Sequence, residues 1–403
     1  MGAGALTSPP LGLEGVVKLK PGKDGAARAG HPWIFSGAIQ ELEGAATAGA
    51  FVRVVAADGA VLGVGAYNPR GSIAVRMFAR EDVPIDGALV RSRVADALAL
   101  RQALGLVGPG AGYRLVNGEG DSLPGVVVDV YDGWAVLQIL TAGAERLREP
   151  LLAALAAEVG PQGVFERSTG GARHEEGLAD RSGVAWGAEP PPIVEIREGA
   201  SLLAVDVRAG QKTGFYLDQR PNRLLVGELA RDCRVLNAFA YTGAFAIAAG
   251  LGGAASVASV ETSGPALEMA RDAWVRNGLD PGRAEWHAAD VFDFLARSQG
   301  RFGVIVLDPP PFARHRADRD RAVRGYRDLN RRALKALEPG GLLFTFSCSA
   351  HIPRDLFEHV VATSLSGAMR LQVLARLGAG GDHPVLAAHP EGEYLCGLLV
   401  RRS

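Results

Sequence analysis

Cysteine is scarce in this sequence of 403 residues, and its distribution excludes several kinds of site. Cys233, Cys348 and Cys396 lie far apart and form neither a C-x-x-C pair nor a metal-ligand spacing. We therefore expect no disulfide framework, no metal site and a reducing, cytoplasmic location.

Long apolar runs and an excess of positive charge are also missing. No run approaches the length of a membrane span, and the N-terminus lacks a basic region followed by an apolar one, so we expect no membrane segment and no signal peptide. The net charge of −1 excludes a surface that is basic throughout. Lysine occurs at only five positions, so any local basic surface must be built largely from arginine, which suits phosphates and base edges.

The length of the chain predicts two or three domains, here preceded by a disordered tail at 1–13 that is rich in proline and glycine. Residues 14–82 carry short β-like segments and predict a small β-barrel. Their basic side chains fit phosphate contact, but the charge alone favours the alternative of a solvated surface. The strand candidates are 16–19, 51–56, 61–67 and 73–78, and the basic residues are Lys18, Lys20, Lys23, Arg28, Arg53, Arg70, Arg76 and Arg80.

Residues 84–195 predict a small α+β middle domain. Helical periodicity covers 88–104 and 147–159, and Asp132-Gly133 between two apolar runs predicts a hairpin. The proline-rich residues 177–192 predict a loop or linker.

Strands and helices alternate through residues 196–403, which is typical of an α/β doubly wound parallel sheet. The strand candidates are 234–237, 256–261, 284–287, 304–307 and 341–346, with two late strands at 371–377 and 394–401.

Acidic and glycine-containing turns follow successive strands of this predicted sheet, at the edge where open α/β sheets bind ligands. The stretch VLNAFAYTGAFA at 235–246 predicts a strand, a tight turn and a helix N-terminus, although an ordinary turn would have the same pattern. Glu261 ends the next strand and is suited to a ribose, and Asp290 follows the third and is suited to an adenine amino group. Each acidic residue alone would also be a common helix cap.

The sequence DPPPF at 308–312 is the most informative short motif. Prolines after a buried strand make a rigid turn that presents the Asp308 carboxylate and main-chain carbonyls to a planar ring with an exocyclic amine. Cys348 follows the next strand and should lie beside this turn, where a thiolate is a candidate nucleophile; a buried structural cysteine is the alternative.

A run of arginines follows the DPPPF motif at once. Placed at the mouth of the site, it suits a polyanionic substrate, and the alternative is a solvated helix face with internal ion pairs. The eight arginines are Arg314, Arg316, Arg319, Arg321, Arg324, Arg327, Arg331 and Arg332.

Several motifs together resemble a known family. GQKTGFYLDQR at 210–220, VLNAFAYTG at 235–243 and DPPPF are similar to the RlmI-type class I methyltransferases of large-subunit ribosomal RNA. HPWIFSGAI at 31–39 resembles their N-terminal PUA domain, and RLVNGEGDSLPGVVVDVYDG at 114–133 their middle domain. DHPV and EGEYLCGLLV near the C-terminus extend the similarity over nearly the whole chain.

The resemblance implies S-adenosylmethionine as cofactor, 5-methylcytosine in 23S ribosomal RNA as product, and a homodimer. By the same resemblance, Glu261 binds the ribose, and Asp290 with Val291 the adenine. Asn237 and Ala244 depart from the Asp and the second Gly common in the family, which puts cofactor affinity in question. The other implied cofactor residues are Phe215, Asp218, Arg220, Asn222, Asn237, Ala238, Phe239, Tyr241, Thr242, Gly243, Asp308 and Pro309.

The chemistry of cytosine C5 assigns the catalytic roles. C5 is a poor nucleophile until a thiolate adds at C6, and Cys348 is the candidate for that addition, with Asp308 at the N3 side of the base. N-methylation of guanine or adenine, which also uses [D/N]-P-P motifs and needs no thiol, is the first alternative. A non-catalytic RNA-binding scaffold and a nicotinamide oxidoreductase are the others, the latter disfavoured because G-x-G-x-x-G is missing.

Overall fold

The computed structural model describes residues 12–313, 315–365 and 369–403, so most of the predicted tail at 1–13 lies outside the described residues. Contacts divide the chain into two units. The first comprises Met1–Ile196, Val205–Leu217 and Gly381–Gly392, and the second Arg197–Ala204, Asp218–Gly380 and Glu393–Ser403.

A six-stranded sheet begins the first unit, in the strand order β2-β6-β5-β4-β1-β3. Its elements are β1 (Gly15–Leu19), α1 (Gly25–Arg28), β2 (Trp33–Phe35), β3 (Ile39–Gly44), β4 (Phe51–Val55), β5 (Val61–Tyr67) and β6 (Ile73–Ala79). The four predicted strands are present. The sequence did not indicate β2, which has only three residues, or β3, whose residues IQELEG are mostly exposed and therefore lack an apolar alternation.

A five-stranded sheet, ordered β11-β10-β9-β8-β7, follows with its helices. Asp132 and Gly133 have φ of +43° and +80° between β8 and β9, which is the backbone of the predicted two-residue hairpin turn. The elements are α2 (Gly87–Ala103), β7 (Gly112–Asn117), β8 (Val126–Tyr131), β9 (Trp134–Ile139), α3 (Ala142–Glu145), α4 (Arg148–Glu158), β10 (Gly163–Ser168), α5 (Gly171–Glu175) and β11 (Arg181–Gly187).

The prediction of a loop or linker over 177–192 is wrong because β11 lies within it. β11 pairs antiparallel with β10 at the edge of the sheet. Its sequence RSGVAWG carries two glycines and is mostly exposed, so the strand is held by backbone pairing with β10 and not by an apolar pattern that a sequence could reveal.

One hydrophobic cluster contains residues from both sheets of the first unit, and a second cluster lies within the six-stranded sheet and α1. Phe51 and Phe78 of the six-stranded sheet pack in the same cluster as Val94, Leu115 and Leu151 of the following region. The predicted boundary between residues 14–82 and 84–195 stays a prediction, but the shared core means that residues 14–82 cannot be removed without exposing apolar side chains.

The second unit contains a seven-stranded sheet in the order β16-β15-β14-β17-β18-β20-β19. The first five strands are parallel, and β20 runs antiparallel to both of its neighbours. The predicted doubly wound sheet with two late strands is therefore confirmed. Because β14 lies where the strand order reverses, a crevice for ligands is expected at its carboxyl end.

The remaining elements complete the chain in order. Two strands form a small separate sheet, and none of the described helices is both long and apolar enough to cross a membrane. The elements are β12 (Val194–Glu198), β13 (Ser201–Val205), α6 (Arg220–Leu229), β14 (Arg234–Ala238), α7 (Ala244–Leu251), β15 (Ser256–Glu261), α8 (Gly264–Arg276), β16 (Ala284–Ala288), α9 (Val291–Ala296), β17 (Phe302–Leu307), α10 (Arg319–Ala336), β18 (Leu337–Ser347), α11 (Arg354–Ala362), β19 (Leu371–Leu377) and β20 (Cys396–Arg402).

Candidate functional site

The loop between β14 and α7 has an unusual backbone. Phe239 and Tyr241 have φ of +58° and +46°, and Gly243 has φ of +79°. Side chains at positive φ cost on the order of 1–3 kcal/mol each, and such strain is concentrated at ligand sites. A Cβ atom on Gly243 would lie 2.7 Å from the Cβ of Ala270 in α8, so the loop is pressed against that helix and only glycine fits.

Glu261, at the end of β15, holds this loop in place. Its Oε2 accepts a hydrogen bond from the Tyr241 amide at 3.0 Å. Its Oε1 accepts from the amide and hydroxyl of Thr262 at 2.8 and 3.1 Å and from the Ser263 amide at 3.0 Å. The sequence suggested a ribose ligand here, and the structure adds a bracing role for the same carboxylate. Oε2 retains capacity to accept a further hydrogen bond.

Asn237 supplies a buried donor at the same edge. Its side chain is only 1% exposed, and its Nδ2 has no hydrogen-bond partner among the described residues. A buried amide without a partner costs about 1–3 kcal/mol, so a ligand acceptor at this point would be stabilising. The residues present therefore fit a bound polar cofactor at the carboxyl end of β14.

Asp290 is the N-cap of α9. A helix cap is the alternative role that the sequence indicated for an acidic residue after a strand. The Asp290 Oδ1 accepts hydrogen bonds from the amides of Phe292 and Asp293 at 2.8 and 3.1 Å. Val291 begins the helix and is 3% exposed. The cap fixes the direction of the Asp290 carboxylate, and its proposed contact with adenine stays a prediction.

The segment that begins at Asp218 is held by hydrogen bonds within the second unit. Asp218 Oδ2 accepts from the Tyr394 hydroxyl at 2.6 Å. Asn222 Nδ2 donates to the Gln219 side chain at 2.6 Å, and Arg220 lies 3.7 Å from a Glu198 oxygen. Sequence reasoning missed Glu198 and Tyr394, because these contacts join residues that are distant in the chain.

The predicted cofactor residues fall at four strand ends and in this segment. Phe215 is the exception, since it belongs to the first unit, where it is 3% exposed. Ala238 is the last residue of β14, and those that follow β14 and β17 are Phe239, Tyr241, Thr242, Gly243, Asp308 and Pro309.

Cys348 lies beside the DPPPF turn. β17 and β18 are parallel neighbours, so Asp308 and Cys348 follow adjacent strand ends. The Cys348 Sγ is 3.9 Å from the Pro309 carbonyl oxygen, and its side chain is half-buried. This places a thiol at the ligand edge of the sheet.

The other two thiols are poorly suited to nucleophilic chemistry. Cys233 precedes β14, at the opposite edge of the sheet, and Cys396 is buried in β20. Burial raises the pKa of both thiols, and because the thiolate is the nucleophile, a higher pKa lowers reactivity at neutral pH.

Apart from Arg327, which is half-buried, the described arginines around α10 divide into two groups. Arg321 pairs with Asp318 at 2.7 Å, Arg332 pairs with Asp328 at 2.8 Å, and Arg331 pairs with the same Asp328 carboxylate. The remaining exposed arginines, Arg316, Arg319 and Arg324, form no ion pair with any residue in the described part of the chain. Arg314 lies outside the described residues.

The basic residues of the six-stranded sheet are also partly used in ion pairs. Arg28 pairs with Asp24 and Asp58, Arg53 with Asp82, and Arg76 with Glu119 and Glu176. The lysines form no ion pair with other described residues, and no group of three or more metal-ligating side chains is found within the described ranges. The lysines are Lys18, Lys20 and Lys23.

Comparisons with known proteins agree with this fold. Residues 17–80 match the model of a PUA-like domain, and residues 175–389 match that of an S-adenosylmethionine-dependent methyltransferase. A Streptococcus mutans putative SAM-dependent methyltransferase has the same fold, with a TM-score of 0.83 at 20% identity over 96% of this chain and 99% of that one. A putative methyltransferase complexed with SAH gives a TM-score of 0.84 at 21% identity, covering 97% and 100% of the two chains.

Curated relatives are more similar in sequence. The ribosomal RNA large subunit methyltransferase I of Alteromonas mediterranea is 41% identical over 95% of this chain and 98% of its own length. The protein of the same name from Shewanella denitrificans is 43% identical over 96% and 98%. The chain therefore belongs to the S-adenosylmethionine-dependent methyltransferases, in the family of the ribosomal RNA large subunit methyltransferase I proteins.

Proposed function

We propose that this protein methylates C5 of a cytosine in 23S ribosomal RNA through a covalent adduct between Cys348 and C6 of the base. The observation that carries the proposal is the half-buried Cys348 thiol, 3.9 Å from the Pro309 carbonyl of the DPPPF turn. The names of the curated relatives support ribosomal RNA of the large subunit as the substrate.

The reaction assigns a step to Asp308 of the turn and to the Cys348 thiol. Cys348 adds as a thiolate to C6, which makes C5 an enamine-like nucleophile. Asp308 lies at the N3 side of the base and delivers a proton to N3 as the thiolate adds, which neutralises the charge on the ring and favours the adduct. S-adenosylmethionine supplies the activated methyl group when bound. Once C5 carries the methyl group, its proton passes to a general base, the C6–S bond breaks to release the Cys348 thiolate, and N3 returns its proton to Asp308. The base must leave its stack to reach this site.

Cofactor binding is expected to depend on Glu261. The Glu261→Ala variant should raise the dissociation constant for S-adenosylmethionine by at least tenfold, since a hydrogen bond to a charged group is worth about 1.5–3 kcal/mol. The Tyr241 amide also loses its acceptor in this variant. Calorimetry measures the constant, and Glu268→Ala, which removes an exposed carboxylate from α8, is the matched control. An unchanged constant in Glu261→Ala would refute the site assignment.

RNA binding is assigned to Arg316, Arg319 and Arg324 near α10, together with the lysines of the PUA-like domain. Replacing these three arginines by alanine should weaken RNA binding and reduce the slope of log K against log salt by about 0.7 for each single-strand phosphate that the variant no longer neutralises. Filter binding at several salt concentrations measures both. Arg331→Ala is the control because that guanidinium is already paired with Asp328. If the slope of log K against log salt is the same in the triple variant and the wild type, the RNA-binding surface lies elsewhere.

N-methylation of guanine or adenine is the second candidate function, because a DPPPF turn also suits an exocyclic amine. That reaction needs no thiol, so the fate of the Cys348 variant separates the two. A non-catalytic RNA-binding scaffold would bind no S-adenosylmethionine in calorimetry.

A homodimer and a cytoplasmic location are further parts of this proposal, and light scattering of the purified protein tests the dimer.

A further inference from the structure

Tyr326 lies on the buried face of α10 and contacts the two residues that flank Cys348. Its side chain is 0% exposed and packs between two rings, with centroid distances of 4.5 Å to Phe312 and 5.5 Å to Phe357. The Phe312 ring also lies close to Gly325, where an added Cβ would be 3.1 Å from it. The helix is thus packed tightly against the DPPPF turn.

The Tyr326 hydroxyl joins the two serines that flank Cys348. It accepts a hydrogen bond from the Ser347 hydroxyl at 3.0 Å and is 3.0 Å from the Ser349 Oγ. Both serines are buried, at 1% and 3% exposure. The side chains of the residues before and after Cys348 are therefore hydrogen-bonded to one phenol group.

Ser349 extends this link to the DPPPF turn. Its Oγ accepts hydrogen bonds from the amides of Phe312 and Ala313 at 3.1 and 3.4 Å. A continuous chain of hydrogen bonds thus runs from Ser347 through Tyr326 and Ser349 to the turn that carries Asp308. Buried networks of this kind are rigid when their members are satisfied.

We propose that Tyr326 is a positioning residue that fixes the Cys348 thiol against the DPPPF turn, an inference that rests on the proposed role of Cys348 as nucleophile. The phenol does not itself take up a proton in the reaction. Burial raises its pKa, so it stays protonated at neutral pH and acts as a hydrogen-bonding group. Nucleophilic attack needs a near-attack geometry, and a displacement of about 1 Å can cost a hundredfold in rate.

The test is Tyr326→Phe, which keeps the aromatic packing and removes only the hydroxyl. We expect kcat to fall roughly tenfold to a hundredfold, with KM for RNA and the dissociation constant for S-adenosylmethionine nearly unchanged. Trapping on RNA with 5-fluorocytosine at the target should slow by a similar factor. Tyr113→Phe, the same change in another buried tyrosine, is the control.

A second readout needs no RNA. The pH profile of iodoacetamide alkylation at Cys348, followed by peptide mass spectrometry, should differ between Tyr326→Phe and wild type, whereas the profile of Cys233 should not. If Tyr326→Phe folds poorly, Ser349→Ala is the replacement variant, because it leaves the Tyr326 ring in place. It should change the trapping rate and the alkylation profile in the same direction. Unchanged trapping and alkylation in both variants would overturn the positioning role. If the wild type itself forms no adduct, the proposed C5 chemistry fails first.

Discussion

Replacing Cys348 by alanine should abolish methyl transfer while binding of S-adenosylmethionine and RNA persists. In the proposed reaction the thiol makes a covalent bond only along the reaction path, so its removal should affect the transition state and not ground-state binding. Methyl transfer from labelled S-adenosylmethionine to ribosomal RNA measures activity, and calorimetry and filter binding measure the two affinities. Cys233→Ala should retain full activity because that residue lies at the opposite edge of the sheet.

A covalent trap distinguishes the C5 mechanism from amine methylation. With 5-fluorocytosine at the target position, C5 carries no proton that can leave, so the enzyme should stay bound to the RNA through C6. A denaturing gel then shows a shifted band for the wild type and for Cys233→Ala, and none for Cys348→Ala. No adduct with the wild type, together with full activity of Cys348→Ala, would favour the guanine or adenine alternative.

Replacing Gly243 by alanine should damage both the fold and the proposed cofactor site. The residue has φ of +79°, where a side chain costs on the order of 1–3 kcal/mol. The new Cβ would also lie 2.7 Å from that of Ala270, and overpacking of this kind costs about 1–3 kcal/mol more. We expect a lower melting temperature and S-adenosylmethionine binding weakened roughly tenfold or more, as the loss of one charge-assisted hydrogen bond would cause.

Two variants separate strain from crowding at Gly243. Gly278 has φ of +68° and no atom within 4 Å of an added Cβ, so Gly278→Ala should lower the melting temperature without changing cofactor affinity. Adding Ala270→Gly to Gly243→Ala removes the crowded methyl group and should recover part of the cofactor affinity, although glycine within a helix itself costs about 1 kcal/mol. If Gly243→Ala lowers neither the melting temperature nor the cofactor affinity, the loop tolerates an alanine at this position.

The candidate site shows where sequence reasoning reached its limit. The strand ends at Glu261, Asp290 and Asp308 were predictable because alternating strands and helices place parallel strand ends at one edge. That Glu261 also holds the Tyr241 amide was not, since the two groups meet only after β14 and β15 have paired. Asp218 and Tyr394 are likewise joined by a bond across 176 positions of the chain.

The sequence by itself determined the order of elements in residues 196–403, the Asp132-Gly133 hairpin and the family, because these follow from local periodicity, turn chemistry and specific motifs. Only the tertiary structure decided that β11 is a strand, that Arg316, Arg319 and Arg324 are without ion pairs among the described residues, and that Tyr326 connects the serines around Cys348. The physical reason is that these features depend on which distant residues come into contact: the pairing of an edge strand, the formation of ion pairs and the formation of buried hydrogen bonds. A local sequence pattern does not identify those distant partners.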